Sequence, residues 1–225
     1  MKKLLDRIFI DGLGGMAQGL FATLIIGTII QQIGLFMGGG TGDLIYELGK
    51  IAAGLTGAGI GVGVARKLEA GHLVIVSAAV VGMIGAFAGK ILSGQVLVDG
   101  NLVLAGPGEP LGAFAAAYLA IEIGILISGK TKLDIILTPL VCIGTGSAVG
   151  LFVGPPISEF MLWLGSLINW GTEQQPFLMG IVVSVLMGMI LTLPISSAAL
   201  GVILNLSGLA AGAATIGCCC NMIGF

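Results

Sequence analysis

The sequence predicts an all-α integral membrane protein, a polytopic helical bundle with about seven spanning helices. Hydrophobic residues make up 56% of the 225 residues and charged residues only 9%, whereas a soluble domain carries about 25% charged residues. The mean hydropathy is +1.13. The 40 glycines lie among aliphatic residues rather than in polar linkers. Small residues of this kind let membrane helices approach each other closely.

The candidate spans are apolar runs of about 20 residues, the length that crosses a bilayer. They are Leu13–Met37, Leu44–Ala65, His72–Leu92, Leu111–Ser128, Ile135–Val153, Phe177–Leu200 and a last run that begins near Leu206. Within the second run, Gly57, Gly59, Gly61 and Gly63 form two overlapping GxxxG pairs, which predict a closely packed neighbouring helix. Between the third and fourth runs, β-prone segments flank Asp99-Gly100-Asn101. This pattern predicts a small hairpin outside the membrane.

The segment 154–176 differs from the other apolar runs because prolines interrupt it. Pro155 and Pro156 precede a helical pattern over Ile157–Trp170, and Pro176 follows it. Since proline breaks helices, we predict a short broken helix that is re-entrant or interfacial. Irregular backbone at membrane depth is tolerated where protein or a watery cavity covers it. In transporters such segments often form the substrate site.

The charge distribution predicts a multi-pass protein of the plasma membrane with a cytoplasmic N-terminus. Its cytoplasmic ends would carry Lys2, Lys3, Arg7, Arg66, Lys67, Lys130 and Lys132, and its outer ends Asp43, Glu47, Asp99, Glu109, Glu159 and Glu173. Lys50 and Lys90 depart from the rule, but both lie near outer helix ends, where they can snorkel. The net charge of −2 without a basic patch excludes nucleic acid as a partner.

Three glutamates are candidate substrate-binding residues. Glu122 lies within the fourth span, where an acid costs roughly 2.5–3.5 kcal/mol. It is either a ligand or proton site, or a buried acid that is bonded to a neighbouring helix. Glu173 lies in a cluster of polar and aromatic side chains that suits sugar hydroxyls and a sugar ring, although the cluster could also be an outer interfacial loop. The other members of this cluster are Asn169, Trp170 and Gln174. Glu109 is a third candidate, or part of a rigid external turn.

No metal, cofactor or catalytic residue is predicted. The single histidine, His72, has no histidine partner, and the adjacent cysteines Cys218-Cys219-Cys220 lack metal-ligand spacing. We interpret these cysteines as small residues at a helix interface. A GxxxxGK[ST] phosphate loop does not occur. ATP hydrolysis by this chain is therefore not expected.

Several motifs resemble the membrane components (enzyme IIC) of bacterial sugar phosphotransferase systems, and within them the perfringolysin O regulator-like branch. The motifs are Ala105–Phe114, Thr138-Pro139, Gly154–Ser158, Ile168–Trp170, Gln175–Gly180 and Leu193–Ala199. The resemblance implies a sugar permease that works with separate cytoplasmic proteins, including a phosphocysteine-carrying IIB protein. In the glucose superfamily a Gly-x-Thr/Ser-Glu motif supplies a sugar-binding glutamate. Gly171-Thr172-Glu173 is similar to it but has one residue fewer.

We expect a single membrane domain over 1–225 that forms a homo-oligomer, a dimer, and that has no phosphoacceptor domain of its own. Because the chain ends inside an apolar run, at Asn221–Phe225, we also expect that it belongs to a longer protein. Two other functions stay open at this point. One is an ion-coupled transporter of another small solute, suggested by Glu122, and the other is a membrane regulator that senses a ligand.

Overall fold

The computed structural model describes residues 6–98, 101–104, 106–130, 133–191 and 206–224. These residues are almost entirely helical, which confirms the predicted all-α class. The helices are α1 (Arg7–Met37), α2 (Gly39–Gly54), α3 (Thr56–Lys67), α4 (His72–Ala86), α5 (Ala88–Leu92), α6 (Pro110–Ile127), α7 (Asp134–Gln174), α8 (Pro176–Leu191) and α9 (Gly208–Gly224).

The predicted hairpin is confirmed as two short antiparallel strands, β1 (Leu97–Val98) and β2 (Asn101–Leu102). Leu97 pairs with Leu102, and Val98 pairs with Asn101. The turn residues Asp99 and Gly100 lie outside the described residues, as do the motif Leu193–Ala199 and Pro194.

Three helical segments in the described part are long and apolar enough to cross a membrane: Arg7–Met37, Pro110–Ile127 and Asp134–Ile157. Helices α2 and α3 would form a fourth span if their 50° bend is counted within one crossing. The segments His72–Ala86, Pro176–Met189 and Gly208–Asn221 are apolar but shorter. The membrane class is therefore confirmed, and the number of seven spans stays a prediction.

The chain divides into two compact units, Met1–Pro156 and Ile157–Phe225. In the first unit, glycines bring helix backbones into direct contact. A Cβ atom added to Gly15 of α1 would lie 2.6 Å from the Gly63 carbonyl oxygen of α3. On the opposite side of α3, a Cβ on Gly57 would lie 2.6 Å from the Gly82 oxygen of α4. The close packing predicted from the GxxxG pairs is thus confirmed on two faces of α3.

The same contacts place several cationic helix ends at one end of the first unit. Arg7 at the start of α1 pairs with Glu122 near the end of α6. Lys67 at the end of α3 approaches Gly14, whose added Cβ would lie 3.9 Å from the Lys67 Cε atom. Gly71, just before α4, lies similarly close to Ser128, just after α6. The antiparallel packing therefore collects these basic and polar residues at a common end.

Helix α1 and the α2–α3 pair depart from regular geometry at the same level. Residues Phe21–Ile25 of α1 are π-helical, and α2 meets α3 at Leu55 with the 50° bend. Thr23 lies beside Gly59, and Gly27 lies beside Ala53. The two irregularities are therefore neighbours. Beyond them, Ile26–Met37 and α2 pack against each other as a helical hairpin.

The predicted helix break at Pro155 and Pro156 is wrong. Helix α7 runs continuously from Asp134 to Gln174 and contains both prolines. Gly154, the residue before these two prolines, is buried, and a Cβ there would lie 2.9 Å from the Ala88 side chain. Tight packing of this kind holds a proline-containing helix together where the helix alone would break. The break that the structure shows instead lies between Gly54 and Thr56.

The predicted helix break at Pro176 is confirmed. Helix α7 ends at Gln174, and Pro176 opens α8, a position where its missing N–H costs no helical hydrogen bond. Whether 154–176 re-enters the membrane stays a prediction.

In the second unit, α8 packs on α9 through small residues and a polar contact. A Cβ on Gly217 would collide with the Ser184 carbonyl oxygen, and Asn221 donates from Nδ2 to the Gly188 oxygen at 2.7 Å. Cys218 also lies at this interface, whereas Cys219 and Cys220 are exposed. Among the described contacts, the interpretation of the three cysteines as interface residues is confirmed for Cys218 alone.

We predict that Gly57→Ala destabilises the protein by about 1–3 kcal/mol, because the new methyl group overpacks the α3–α4 contact. Gly144→Ala in α7 is the matched control, since a Cβ there meets no described atom within 4 Å and alanine favours helix. Thermal unfolding of purified protein in detergent measures both. An unchanged melting temperature for Gly57→Ala would contradict the close contact.

Candidate substrate cavity

A cavity of about 210 Å³ lies in the second unit, where the end of α7 meets the start of α9. Its lining residues come from these two helix ends and are mostly polar or small. They are Asn169, Thr172, Glu173, Ser207, Gly208, Leu209 and Ala210.

The lining follows from helix periodicity on α7. Asn169, Thr172 and Glu173 are spaced i, i+3 and i+4, which puts them on one helix face. Thr172 is only 2% exposed, and its hydroxyl donates to the Ile168 carbonyl oxygen at 2.8 Å. The buried hydroxyl is thus satisfied within its own helix. The amide of Asn169 and the carboxyl group of Glu173 then supply the side-chain polarity on this side of the cavity.

The opposite side is formed by the first turn of α9. Asn169 Oδ1 accepts a hydrogen bond from the Ser207 N–H at 3.2 Å, so α7 caps the start of α9. Gly208 has φ of +52°, a backbone conformation that glycine adopts without strain. The first N–H groups of a helix have no partner within it. The cavity therefore places backbone donors of α9 opposite the carboxylate acceptor of Glu173.

This combination suits a ligand with hydroxyl groups, because a hydroxyl both donates and accepts hydrogen bonds. Of the four residues predicted as a cluster, the structure brings Asn169 and Glu173 into the cavity. Trp170 is 60% exposed and does not line it. Gln174 is exposed as well and lies outside the lining. The sequence interpretation missed Thr172 and Ser207, although the Ser-Gly pair before an apolar run is a turn signal that marks this helix start.

A second cavity, a groove of about 450 Å³, adjoins the first and shares Thr172, Gly208 and Leu209 with it. It lies between α8 and α9. Its remaining lining is apolar except for Ser184. The two cavities together run from a polar end at Glu173 to an apolar end between the helices.

Glu109 lies in the first unit, at the N-cap of α6. Its carboxylate accepts the Leu111 N–H at 3.3 Å, and its own N–H donates to the Ala86 carbonyl oxygen at 2.7 Å. Gly108 precedes it with φ of +72°, and a Cβ there would lie 2.7 Å from Ala86. Burial raises the pKa of Glu109 above its ordinary value, and the hydrogen bond from Leu111 opposes this only in part. These contacts favour the rigid-turn alternative for Glu109.

Glu122 has a charged partner. Arg7 Nε donates to Glu122 Oε1 at 2.6 Å, with the two side chains 40% and 32% exposed. Phe114, eight residues earlier on α6, also contacts α1, since a Cβ on Gly12 would lie 3.2 Å from its ring. This pairing favours the structural alternative for Glu122, an acid bonded to a neighbouring helix, over a proton site.

Within the described residues, His, Cys, Asp and Glu form no group of three or more that could hold a metal ion. Comparison with known protein families gives one match: the model of the family described as "Phosphotransferase system, EIIC" matches residues 10–225. Neither a curated protein nor a solved structure matches the chain significantly.

We predict that Glu109→Gln flattens the pH dependence of stability. A carboxyl group with a raised pKa stays protonated in the folded state, so its contribution to stability is present at low pH. It is lost as the pH rises from the ordinary value of 4.5 through the raised pKa. Glutamine keeps the acceptor for the Leu111 N–H but carries no charge. At the acid end of the pH range, the variant and the wild type should have the same melting temperature. Above the raised pKa, the variant should have the higher melting temperature. Parallel curves would refute the prediction.

We also predict a coupling free energy of roughly 0.5–1 kcal/mol between Arg7 and Glu122, a modest value because both side chains are partly exposed. A double-mutant cycle of Arg7→Gln and Glu122→Gln measures it through unfolding free energies. Glu122→Gln should lower stability and leave ligand affinity unchanged. A loss of ligand binding with unchanged stability would restore Glu122 as a binding residue.

Proposed function

Since this chain belongs to the phosphotransferase system EIIC family, and is thus a membrane permease component of such a system, we propose that it binds its sugar in the cavity between α7 and α9. The observation that carries this proposal is the meeting of Glu173 and Asn169 with the first turn of α9. Sugar hydroxyls would donate to the Glu173 carboxylate and accept from backbone N–H groups in the first turn of α9.

The ordering of the cavity supports a binding role. Asn169 is held by its bond to the Ser207 N–H, and Thr172 is held by its bond to Ile168. Groups that are fixed before a ligand arrives lose less conformational entropy on binding. Trp170 stays close to this site in sequence, but its ring lies outside the lining, so the cavity alone does not provide the aromatic contact that the sequence predicts.

Family membership implies a sugar substrate and cytoplasmic partners of the phosphotransferase system. We propose that the partner is a separate IIB protein that carries a phosphocysteine. The four cysteines of this sequence lie on α7 and α9, within apolar helices. They are therefore poorly placed to accept a phosphoryl group from a soluble protein. A homodimer, as predicted from the sequence, would suit a permease of this kind and stays a prediction.

The orientation belongs to the same proposal. The end of the first unit that gathers Arg7 and Lys67 would face the cytoplasm, in agreement with the positive-inside rule. The hairpin β1–β2 and the N-cap residue Glu109 come just before the start of α6, at the end opposite to Glu122. In this orientation they would lie on the outer side.

We predict that Glu173→Gln weakens sugar binding tenfold or more, because the cavity loses its charged acceptor, and hydrogen bonds to charged groups contribute roughly 1.5–3 kcal/mol. A panel of hexoses, hexosamines, hexitols and disaccharides is first screened by thermal shift on the wild-type protein. The affinity of the sugar that stabilises most is then measured by calorimetry.

Glu159→Gln is the matched control, since Glu159 is an exposed acid on the same helix. It should bind like the wild type. Equal affinities of wild type, Glu173→Gln and Glu159→Gln would remove this cavity from the proposal and leave only the family assignment.

A further inference from the structure

The polar cavity at Glu173 adjoins the apolar groove between α8 and α9. Thr172, Gly208 and Leu209 line both spaces, so the two spaces lie next to each other. The groove, at about 450 Å³, is about twice as large as the polar cavity. A ligand that fills both must change from polar to apolar along its length.

The groove does not suit a second sugar ring. Apart from Thr172 and Ser184, its lining is apolar, with Phe177, Ile181 and Ile216 among the larger side chains. The Thr172 hydroxyl already donates to Ile168. Sugar hydroxyls placed there would lose water without gaining partners, which is costly.

Two glycines keep the groove open. A Cβ added to Gly180 of α8 or to Gly212 of α9 would meet no atom of the described residues within 4 Å. This distinguishes them from Gly217 on the same helix, where a Cβ would collide with the Ser184 backbone. Gly217 is thus explained by helix packing, whereas Gly180 and Gly212 border free space.

We propose that the substrate is a glycoside with an apolar aglycone, whose sugar occupies the cavity at Glu173 and whose aglycone lies in the groove between α8 and α9. This inference rests on the proposed function and narrows its substrate class. Burial of the aglycone would add affinity in proportion to the apolar area removed from water. An aryl group would pack against Phe177 at the mouth of the groove, where this ring is 79% exposed.

The test uses the full chain in lipid nanodiscs and pairs of ligands that differ only in the aglycone. The probes are methyl and phenyl β-D-glycopyranosides of glucose, galactose and N-acetylglucosamine, titrated by calorimetry. For the sugar that binds, the phenyl glycoside should bind at least tenfold more tightly than the methyl glycoside. Gly212→Leu should abolish this difference and leave the methyl glycoside unaffected, because leucine fills the groove but not the polar cavity.

Gly180→Leu provides an independent variant on the other wall, and it should act like Gly212→Leu. Gly144→Leu is the control, because Gly144 also borders open space but lies on α7 in the first unit. It should keep the full preference for the phenyl glycoside.

The failures are distinguishable. If Glu173→Gln weakens both glycosides but the wild type binds methyl and phenyl forms equally, the proposed sugar site stands and the aglycone inference is overturned. If Glu173→Gln weakens neither, the proposed function fails at this cavity and the inference fails with it. If Gly212→Leu keeps the phenyl preference and instead loses phospholipid in native mass spectrometry, the groove is a lipid site and the inference is also overturned.

Discussion

Direct contact between helix backbones is the constraint on which the rest of the structure depends. Between helices in a membrane there is little hydrophobic driving force, because lipid tails are as apolar as leucine side chains. Association then relies on van der Waals contact, which is greatest where side chains are smallest. Gly57 and Gly61 on one face of α3, with Gly59 and Gly63 on another, let α4 and α1 approach that single helix from two sides. The α8–α9 pair repeats the principle at Gly217.

Polar contacts between helices supplement the glycine contacts in both units. Arg7 and Glu122 join two helices at one end of the first unit, and Asn169 joins α7 to the start of α9 in the second unit. Each contact satisfies a group that would be costly to leave unpaired among apolar surroundings. In the second unit the same polar contact also shapes the candidate cavity. The side chain of Asn169 therefore both joins two helices and lines the candidate cavity.

The sequence predicted those features that local chemistry determines. Composition identified the membrane class, the GxxxG spacing identified α3 as a central packing element, and the β-prone runs around Asp99-Gly100 identified the hairpin.

Features that depend on distant neighbours were not predictable. The partner of Glu122 lies 115 residues away, and the helix continues through Pro155 because Gly154 packs against Ala88. Glu173 and Asn169 were predicted from residue type and reach a common cavity, whereas Ser207 enters it only through the tertiary contact with α7. The more specific resemblance to the perfringolysin O regulator-like branch stays a prediction, since the matching family is the broader one.

The paired irregularities at Phe21–Ile25 and Leu55 bear on how the protein fits its bilayer. A helix of 31 residues such as α1 is about 46 Å long at 1.5 Å per residue, well beyond the hydrocarbon thickness of about 30 Å. A straight rod of that length accommodates the mismatch by tilting as a whole, which would drag its glycine contacts with α3 out of register. The π-helical turn of α1 and the bend between α2 and α3 lie side by side. A change of tilt that began at this level would move Ile26–Met37 and α2 together, and it would leave the contact between Gly15 and Gly63 in place.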